Sequence, residues 1–230
     1  MALTGAGISV ESGIPDFRSE NGLWSKYEPM EYGHILAFRA DPGKVWKMLL
    51  EMDALLEAAR PNAAHVALAR LEARALLKTV ITQNVDSLHQ RAGSRNVIEF
   101  HGHGRTLRCD RCGRRVPRAS VKLAGGPPLC ACGNPLRPEY VFFGEQIPPE
   151  AYAGAVEAVR CCDVMLVVGT SAEVAPASHL PYLAKRSGAA VIVVDPKPVE
   201  IPSVAIDVHI AAPAGKALPV LVEALDEMST

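Results

Sequence analysis

Four cysteines, Cys109 and Cys112 followed by Cys130 and Cys132, have the form of two knuckles closing on one tetrahedral ion. Zinc is the expected metal. Four thiolates leave it no open coordination position, so its role is structural and it activates no water. The second pair is one residue tighter than the usual Cys-x-x-Cys. Cys161 and Cys162 lie outside this pattern and are expected to pack as thiols where a helix ends.

A second chemistry-bearing stretch opens the chain. Gly5-Ala6-Gly7-Ile8-Ser9 follows a short apolar run, Met1 to Thr4, and continues through Gly13, Pro15, Asp16, Phe17 and Arg18. Glycines at 5 and 7 let the backbone turn off a strand end and bring its N–H groups near a pyrophosphate. The fingerprint of hydride-transferring dehydrogenases is not met. Val10 stands where the third glycine belongs, and Gly13 and Pro15 interrupt the helix that should follow. On this spacing alone a phosphate loop and an ordinary glycine-rich turn are both open.

Further along, Thr82-Gln83-Asn84-Val85-Asp86 gathers two amides and a carboxylate just after an apolar run, and Glu99-Phe100-His101-Gly102 places an imidazole after the next. A histidine there can take a proton near neutral pH. Gly169-Thr170-Ser171 and Asp195-Pro196 follow two more apolar runs and suit ribose hydroxyls and phosphates. His65, His89, His103, His179 and His209 have no comparable company in the sequence.

The elements that must position these groups read as strands alternating with helices. Leu77 to Thr82, Val97 to Phe100, Tyr140 to Phe143, Asp163 to Thr170 and Ala190 to Asp195 look like strands buried on both faces, which implies parallel pairing. Asp41-Pro42 starts a helix that ends near Pro61, Asn62 caps a second, Pro148-Pro149 opens a third through Val159, and a last runs from about Gly215 to Glu227. The fold class is α/β: a Rossmann-like doubly wound parallel sheet, with ligand at the carboxyl ends of the strands where their order reverses. The region from about His103 to Pro138 breaks the alternation and reads as a separate metal-organised module. Its Arg105, Arg108, Arg111, Arg114, Arg115, Arg118 and Lys122 are expected to form a solvated basic face, with an acidic partner as the alternative.

Composition narrows the field. A chain of 230 residues holds one sizeable core and at most a small satellite, and a formal charge of −1 gives no global attraction to nucleic acid or anionic membrane. The apolar runs are strand-sized, and the first residues carry no basic segment followed by an apolar one. A cytoplasmic protein with reduced cysteines is expected, with neither a membrane nor a nucleic acid as partner.

Taken in order, GAGISVESGIPDFR, TQNVD, HG, the four cysteines, RPEYVFFGE and GTSAEVAP resemble the sirtuin family of NAD-dependent protein lysine deacylases, from Ala2 to the last helix. The resemblance implies a large Rossmann-like domain (1–22, 61–102 and 139–230) and a small domain built from a helical insertion (23–60) and the zinc-ribbon insertion (103–138). NAD, a co-substrate, would lie between them. By likeness Gly5, Ala6, Gly7 and Ser9 hold the pyrophosphate. Asp16, Phe17 and Arg18 sit on a closing loop over the nicotinamide ribose, Phe17 shielding C1′ from water. Asn84 and Asp86 form the nicotinamide pocket, Gln83 contacts ribose, and Gly169, Thr170, Ser171 and Asp195 face the adenosine half. His101 would be the general base, with Asn84 and Asp86 counted beside it in the catalytic set.

On the substrate side, Val141, Phe143 and Val174 would line an apolar tunnel for the acyl-lysine stem. The segments around Gly144-Glu145 and Glu173-Val174 would hold an acyl-lysine peptide or protein by strand addition. The implied reaction passes through a 1′-O-alkylamidate and yields nicotinamide, free lysine and 2′-O-acyl-ADP-ribose, with acetyl the first acyl group expected. Three departures stand out. The first strand starts at Met1, short of the family's usual helix and longer strand, which predicts unpaired ladder groups. Asp195 replaces the usual asparagine, which predicts modestly weakened NAD binding. Leu49 and Met52 stand where the desuccinylating branch has tyrosine and arginine, which predicts uncharged acyl groups. Rival readings are mono-ADP-ribosyl transfer to protein within the same family, a non-enzymatic zinc-ribbon module that binds nucleic acid, and a dehydrogenase.

Overall fold

The computed structural model describes residues 1–16, 22–123 and 125–228. The strands run β1 (Ala2–Thr4), β2 (Val80–Thr82), β3 (Val97–Glu99), β4 (Gly102–Cys109), β5 (Arg115–Pro117), β6 (Leu136–Tyr140), β7 (Val164–Val168), β8 (Ala190–Val194) and β9 (Val208–Ile210). Between them lie α1 (Leu23–Lys26), α2 (Pro29–Tyr32), α3 (Ile35–Ala40), α4 (Pro42–Ala58), α5 (Ala63–Ala73), α6 (Leu88–Arg91), α7 (Pro149–Arg160), α8 (Leu180–Arg186) and α9 (Ala214–Glu227). A 3₁₀ turn over Ala6–Ser12 follows β1 directly.

Six strands form a parallel sheet in the order β3-β2-β1-β7-β8-β9. The chain winds outward from β1 in one direction and outward from β7 in the other, so the order reverses between those two strands. Their carboxyl ends are therefore where an open α/β sheet leaves a crevice for a ligand. Residue parity decides the faces. Leu3, Ile81, Met165, Val167, Val191 and Val193 pack under α7 and α8. Ala2, Val80, Leu166, Val168 and Val194 point the other way, against Leu68 and Leu71 of α5 and Leu218 and Val222 of α9. The predicted gap in the first strand does not arise. Ala2 donates to the Thr79 carbonyl, Leu166 to the Met1 carbonyl, and the Met1 nitrogen to the Val164 carbonyl at 2.8 Å.

A second sheet is antiparallel, in the order β5-β4-β6. Here the strand expected over Tyr140 to Phe143 is corrected: the strand is Leu136–Tyr140, and it belongs to this sheet. Val141 to Phe143 is extended but leaves the sheet, with Phe143 pairing instead beside His34. Its apolar character suggested burial in a parallel core, whereas its bonding partners are His101, just before β4, and Gly33 and Ile35 around the α2–α3 connection. The exposed edge strand β9 and the helix α8 carry too little periodic signal to be expected from sequence.

Helix α4 begins as predicted, with the Asp41 carboxylate accepting from the Lys44 N–H at 2.9 Å and Pro42 in the first turn. It buries Val45, Trp46, Met48 and Leu49, and the Trp46 indole N–H donates to the Leu136 carbonyl of β6 at 2.9 Å. A third core joins these residues to Phe38, Leu107, Leu136 and Phe142. No described helix is long and apolar enough to cross a membrane.

Candidate active site and metal centre

The ends of β1 and β7 meet by backbone contact. The Gly5 N–H donates to the Val168 carbonyl at 3.1 Å and the Gly7 N–H to the Gly169 carbonyl at 2.8 Å. A Cβ on Gly7 would lie 2.7 Å from the Gly169 Cα, and one on Gly169, whose φ is +59°, would lie 2.3 Å from the Ile8 nitrogen. Glycine is thus required because two loops touch, a reason that the spacing of the motif does not reveal. The turn is fastened further by Asn62 Nδ2, which donates to the Ile8 carbonyl at 2.7 Å, and by the Glu11 carboxylate, which accepts from the Gly215 N–H at 2.7 Å.

Around this junction lies a cavity of about 800 Å³. Gly5, Ala6, Gly7 and Asp16 line it from the first loop, Gln83 and Asn84 from the end of β2, and His101 from the end of β3. Gly169, Thr170, Ser171 and Asp195 line the β7–β8 side, and Val141, Phe143, Gly144, Glu145 and Val174 the opposite side. Ser9 and Asp86 are not on this wall but directly behind it. The Ser9 hydroxyl donates to Asp86 Oδ2 at 2.7 Å and accepts from Asn84 Nδ2 at 3.1 Å, while Asp86 Oδ1 accepts from the Leu88 N–H at 2.8 Å. Asn84 Nδ2 also donates to the Gly5 carbonyl at 3.0 Å, so the amide is fixed in one orientation. Phe17 and Arg18 lie outside the described residues.

His101 Nδ1 is 3.1 Å from the Gln83 carbonyl. A carbonyl only accepts, so Nδ1 carries the proton and Nε2 keeps its lone pair. Burial pushes the His101 pKa below the ordinary histidine value, with the Gln83 bond pulling the other way. The ring is accordingly neutral at neutral pH. Gln83 also donates through Nε2 to Thr170 Oγ1 at 2.9 Å, joining β2 to β7 across β1. Asp195 Oδ1 accepts from the Lys197 N–H at 2.9 Å and so holds its own turn.

His65 and His89, which lack company in the sequence, are corrected by the structure: both are buried behind this edge. His89 Nε2 is 2.9 Å from Thr4 Oγ1, and the two rings stand edge to face with centroids 4.9 Å apart. Burial pushes His65 down to about 4, Asp86 opposing, and His89 down to about 3. The 23 residues between them hide the contact from any local pattern.

The far end of the cavity is apolar. Met48, Leu49 and Met52 of α4 face it together with Trp24, Tyr140 and Ile147, and the Trp24 and Phe143 rings lie 6.1 Å apart. Of these, Trp24, Met48, Tyr140 and Ile147 were not expected from the sequence to line a site.

The four cysteine sulfurs lie within 4.8 Å of one another, with Cys109–Cys132 and Cys112–Cys130 contacts of 3.6 Å. A tetrahedral zinc ion with Zn–S of about 2.3 Å requires sulfur edges of about 3.8 Å, so the donor set fits zinc. The odd spacing has a local explanation. In the first knuckle the Gly113 N–H reaches back to the Cys109 carbonyl, and in the second the Gly133 N–H reaches back to the Cys130 carbonyl, one residue nearer. Both glycines have positive φ, so the same device closes a five-residue and a four-residue turn. The Cys109 thiol is held down to about 6, first by the Cys112 N–H.

Arg105, Arg111, Arg114, Arg115 and Lys122 are exposed, as a solvated face requires, while several arginines of the module also pair with acids. Arg105 pairs with Glu99, Arg115 with Glu139, Arg118 with Asp53, and Arg108 with both Asp110 and Glu145.

Residues 5–176 match the model of the Sir2 family. A protein from Pyrobaculum aerophilum named NAD-dependent protein deacylase 2 is 47% identical over 97% of this chain and 89% of its own length. One from Aquifex aeolicus, named NAD-dependent protein deacylase, is 43% identical over 99% of this chain and 95% of its own. Among solved structures, a Sir2 homolog–NAD complex superposes with a TM-score of 0.93 at 43% identity, covering 100% of this chain and 90% of that one. A Sir2 variant with a deacetylated p53 peptide and 3′-O-acetyl ADP ribose superposes with a TM-score of 0.91 at 36% identity, covering 97% and 92%.

Proposed function

The chain belongs to the Sir2 family, and on that footing we propose that it removes acyl groups, acetyl first among them, from protein lysine side chains at the expense of NAD. The observation that carries this reading is one cavity lined by the β1–β7 switch point, by apolar residues of α4 and by His101. NAD, when bound, supplies an electrophilic ribose carbon and a nicotinamide leaving group, and ends as 2′-O-acyl-ADP-ribose.

The chain's own residues divide the remaining work. Ala6, Gly7, Gly169, Thr170, Ser171 and Asp195 wall the switch point, where a dinucleotide's phosphates and adenosine half belong. Asn84 faces the nicotinamide end, held by Gly5 and by Ser9, with Asp86 behind. His101, neutral and with Nε2 unprotonated, accepts a ribose hydroxyl proton as general base. Val141, Phe143 and Val174 exclude water around the lysine stem, and Gly144 and Glu145 line the path of the peptide backbone. Leu49 and Met52 in the lining offer no cation to an acyl carboxylate, which supports uncharged acyl groups.

We read the chain as a large unit of residues 1–22, 61–102 and 139–230 and a small unit of 23–60 and 103–138, supported by the separate core that joins α3 and α4 to β4 and β6. A cytoplasmic site of action is supported by Cys161 and Cys162, which stay thiols outside the metal centre. Mass spectrometry of an acetyl-lysine peptide with the zinc-loaded protein and NAD tests the reading. Loss of the acetyl group should require NAD and fall by about 10²–10⁴-fold in His101→Ala. Peptide labelling with ADP-ribose in place of deacylation would overturn it.

A further inference from the structure

Arg137 is fully buried in β6, a rare place for an arginine unless it is fully paired. Its guanidinium fork reaches three segments. Nε donates to Asp110 Oδ2 at 2.8 Å, Nη2 to Glu145 Oε1 at 2.5 Å, and Nη1 to the Tyr140 carbonyl at 3.1 Å. Asp110 lies inside the first cysteine knuckle. Glu145 lies on the cavity wall, where its Oε2 accepts from the Phe142 N–H at 3.0 Å while its own N–H donates to the Phe142 carbonyl at 3.0 Å. The guanidinium also sits 5.1 Å over the Phe142 ring. Arg108 braces the same two carboxylates, at 3.3 Å from Asp110 and 3.0 Å from Glu145, so two cations meet two anions.

We propose that Arg137 is a positioning residue for acyl-peptide binding: it carries the fold of the Cys109–Cys112 knuckle to the Val141–Glu145 wall. The main chain at Val141 and Phe143 is secured independently, through His101, Gly33 and Ile35. The turn from Phe142 to Glu145 is secured by Glu145, and Glu145 is aimed by the arginines. No described atom of Arg137 lines the cavity, so its influence reaches the substrate only through this turn. A fork is required because one group must serve an aspartate and a glutamate at once; a lysine keeps the charge but engages one of them at a time.

The inference rests on the acyl-lysine reading above, and its test separates the two. In zinc-loaded full-length Arg137→Lys, the KM for an acetyl-lysine peptide should rise about tenfold, with kcat and the KM for NAD within about twofold. Zinc content should stay at one per chain, and hydrogen–deuterium exchange should quicken in Val141–Glu145 alone. Asp110→Asn, at the partly exposed end of the same chain of contacts, should do likewise more weakly and serves if the lysine variant does not fold. Equal rises in both KM values, zinc loss with faster exchange throughout the small sheet, or an unchanged Val141–Glu145 segment would each overturn the proposal. Failure of the unmodified protein to deacylate would remove the acyl-lysine reading alone, because exchange and zinc content still judge Arg137.

Discussion

The two walls of the cleft are built by different means. On the cofactor side, strand ends touch backbone to backbone, and Gly5, Gly7 and Gly169 leave no room for a side chain. On the acyl side, pieces distant in the sequence are joined by side chains and a metal: α4 through Trp46, the knuckles through four sulfurs, and the Phe142–Glu145 turn through Arg137. The first wall comes with its sheet, while the second depends on charges and an ion that solution conditions can remove. A site that must close on a fixed dinucleotide and accept varied acyl-lysine chains gains from that division.

The sharpest way to break the contrast is to take away the ion. Chelation should release about 10 kcal/mol or more of metal-binding energy from the small sheet. Exchange protection should then collapse over β4 to β6 while the parallel sheet keeps its own; uniform loss over both would mean the walls are not separable. Next in size is Gly169→Ala, which forces a Cβ into Ile8 at positive φ. It should cost about 2–3 kcal/mol, seen in calorimetry as a fall in Tm of about 5–10 °C, and it should weaken NAD binding with zinc content unchanged.

A third effect is in pH. His65 and His89 are held neutral in the folded state, below an ordinary histidine value, so the unfolded chain binds protons first as pH falls. Their contribution is whole above about pH 6.5 and shrinks below it, by up to about 1.4 kcal/mol per pH unit for each histidine. Denaturant unfolding at pH 7 and pH 5 should show this. His65→Gln with His89→Gln should flatten the difference, and an undiminished slope in the pair would place the dependence elsewhere.

What could be read from the sequence follows the same division. The cofactor edge was legible because each motif sits directly after its strand, so contiguous residues, Gly5 to Ser9, Gln83 to Asp86 and Gly169 to Ser171, share one edge. The cysteine spacing was legible because a tetrahedral site constrains it. The acyl wall was not, since it is assembled by long-range contacts. Tyr140 to Phe143 had the apolar look of a buried parallel strand, yet its partners are His101 and Gly33. The acid partners of the arginines were not legible, because they lie up to 65 residues away in sequence, as Asp53 does from Arg118. Even Gly7 was read for its approach to phosphate, while its N–H is donated to Gly169.

One bond bears on how such an enzyme could change its diet. The Val141 N–H donates to the His101 carbonyl at 2.9 Å, so the proposed lysine-stem wall and the proposed general base are a single mechanical part. Widening the tunnel by shifting that strand would drag the base from its station, and turnover would be lost together with selectivity. On the proposed reading, room for a bulkier acyl group can be made at Met48, Leu49 and Met52, where trimming a side chain moves no backbone bonded to His101. New substrate ranges are therefore reached by editing a helix in the insertion, with the catalytic edge left as it stands.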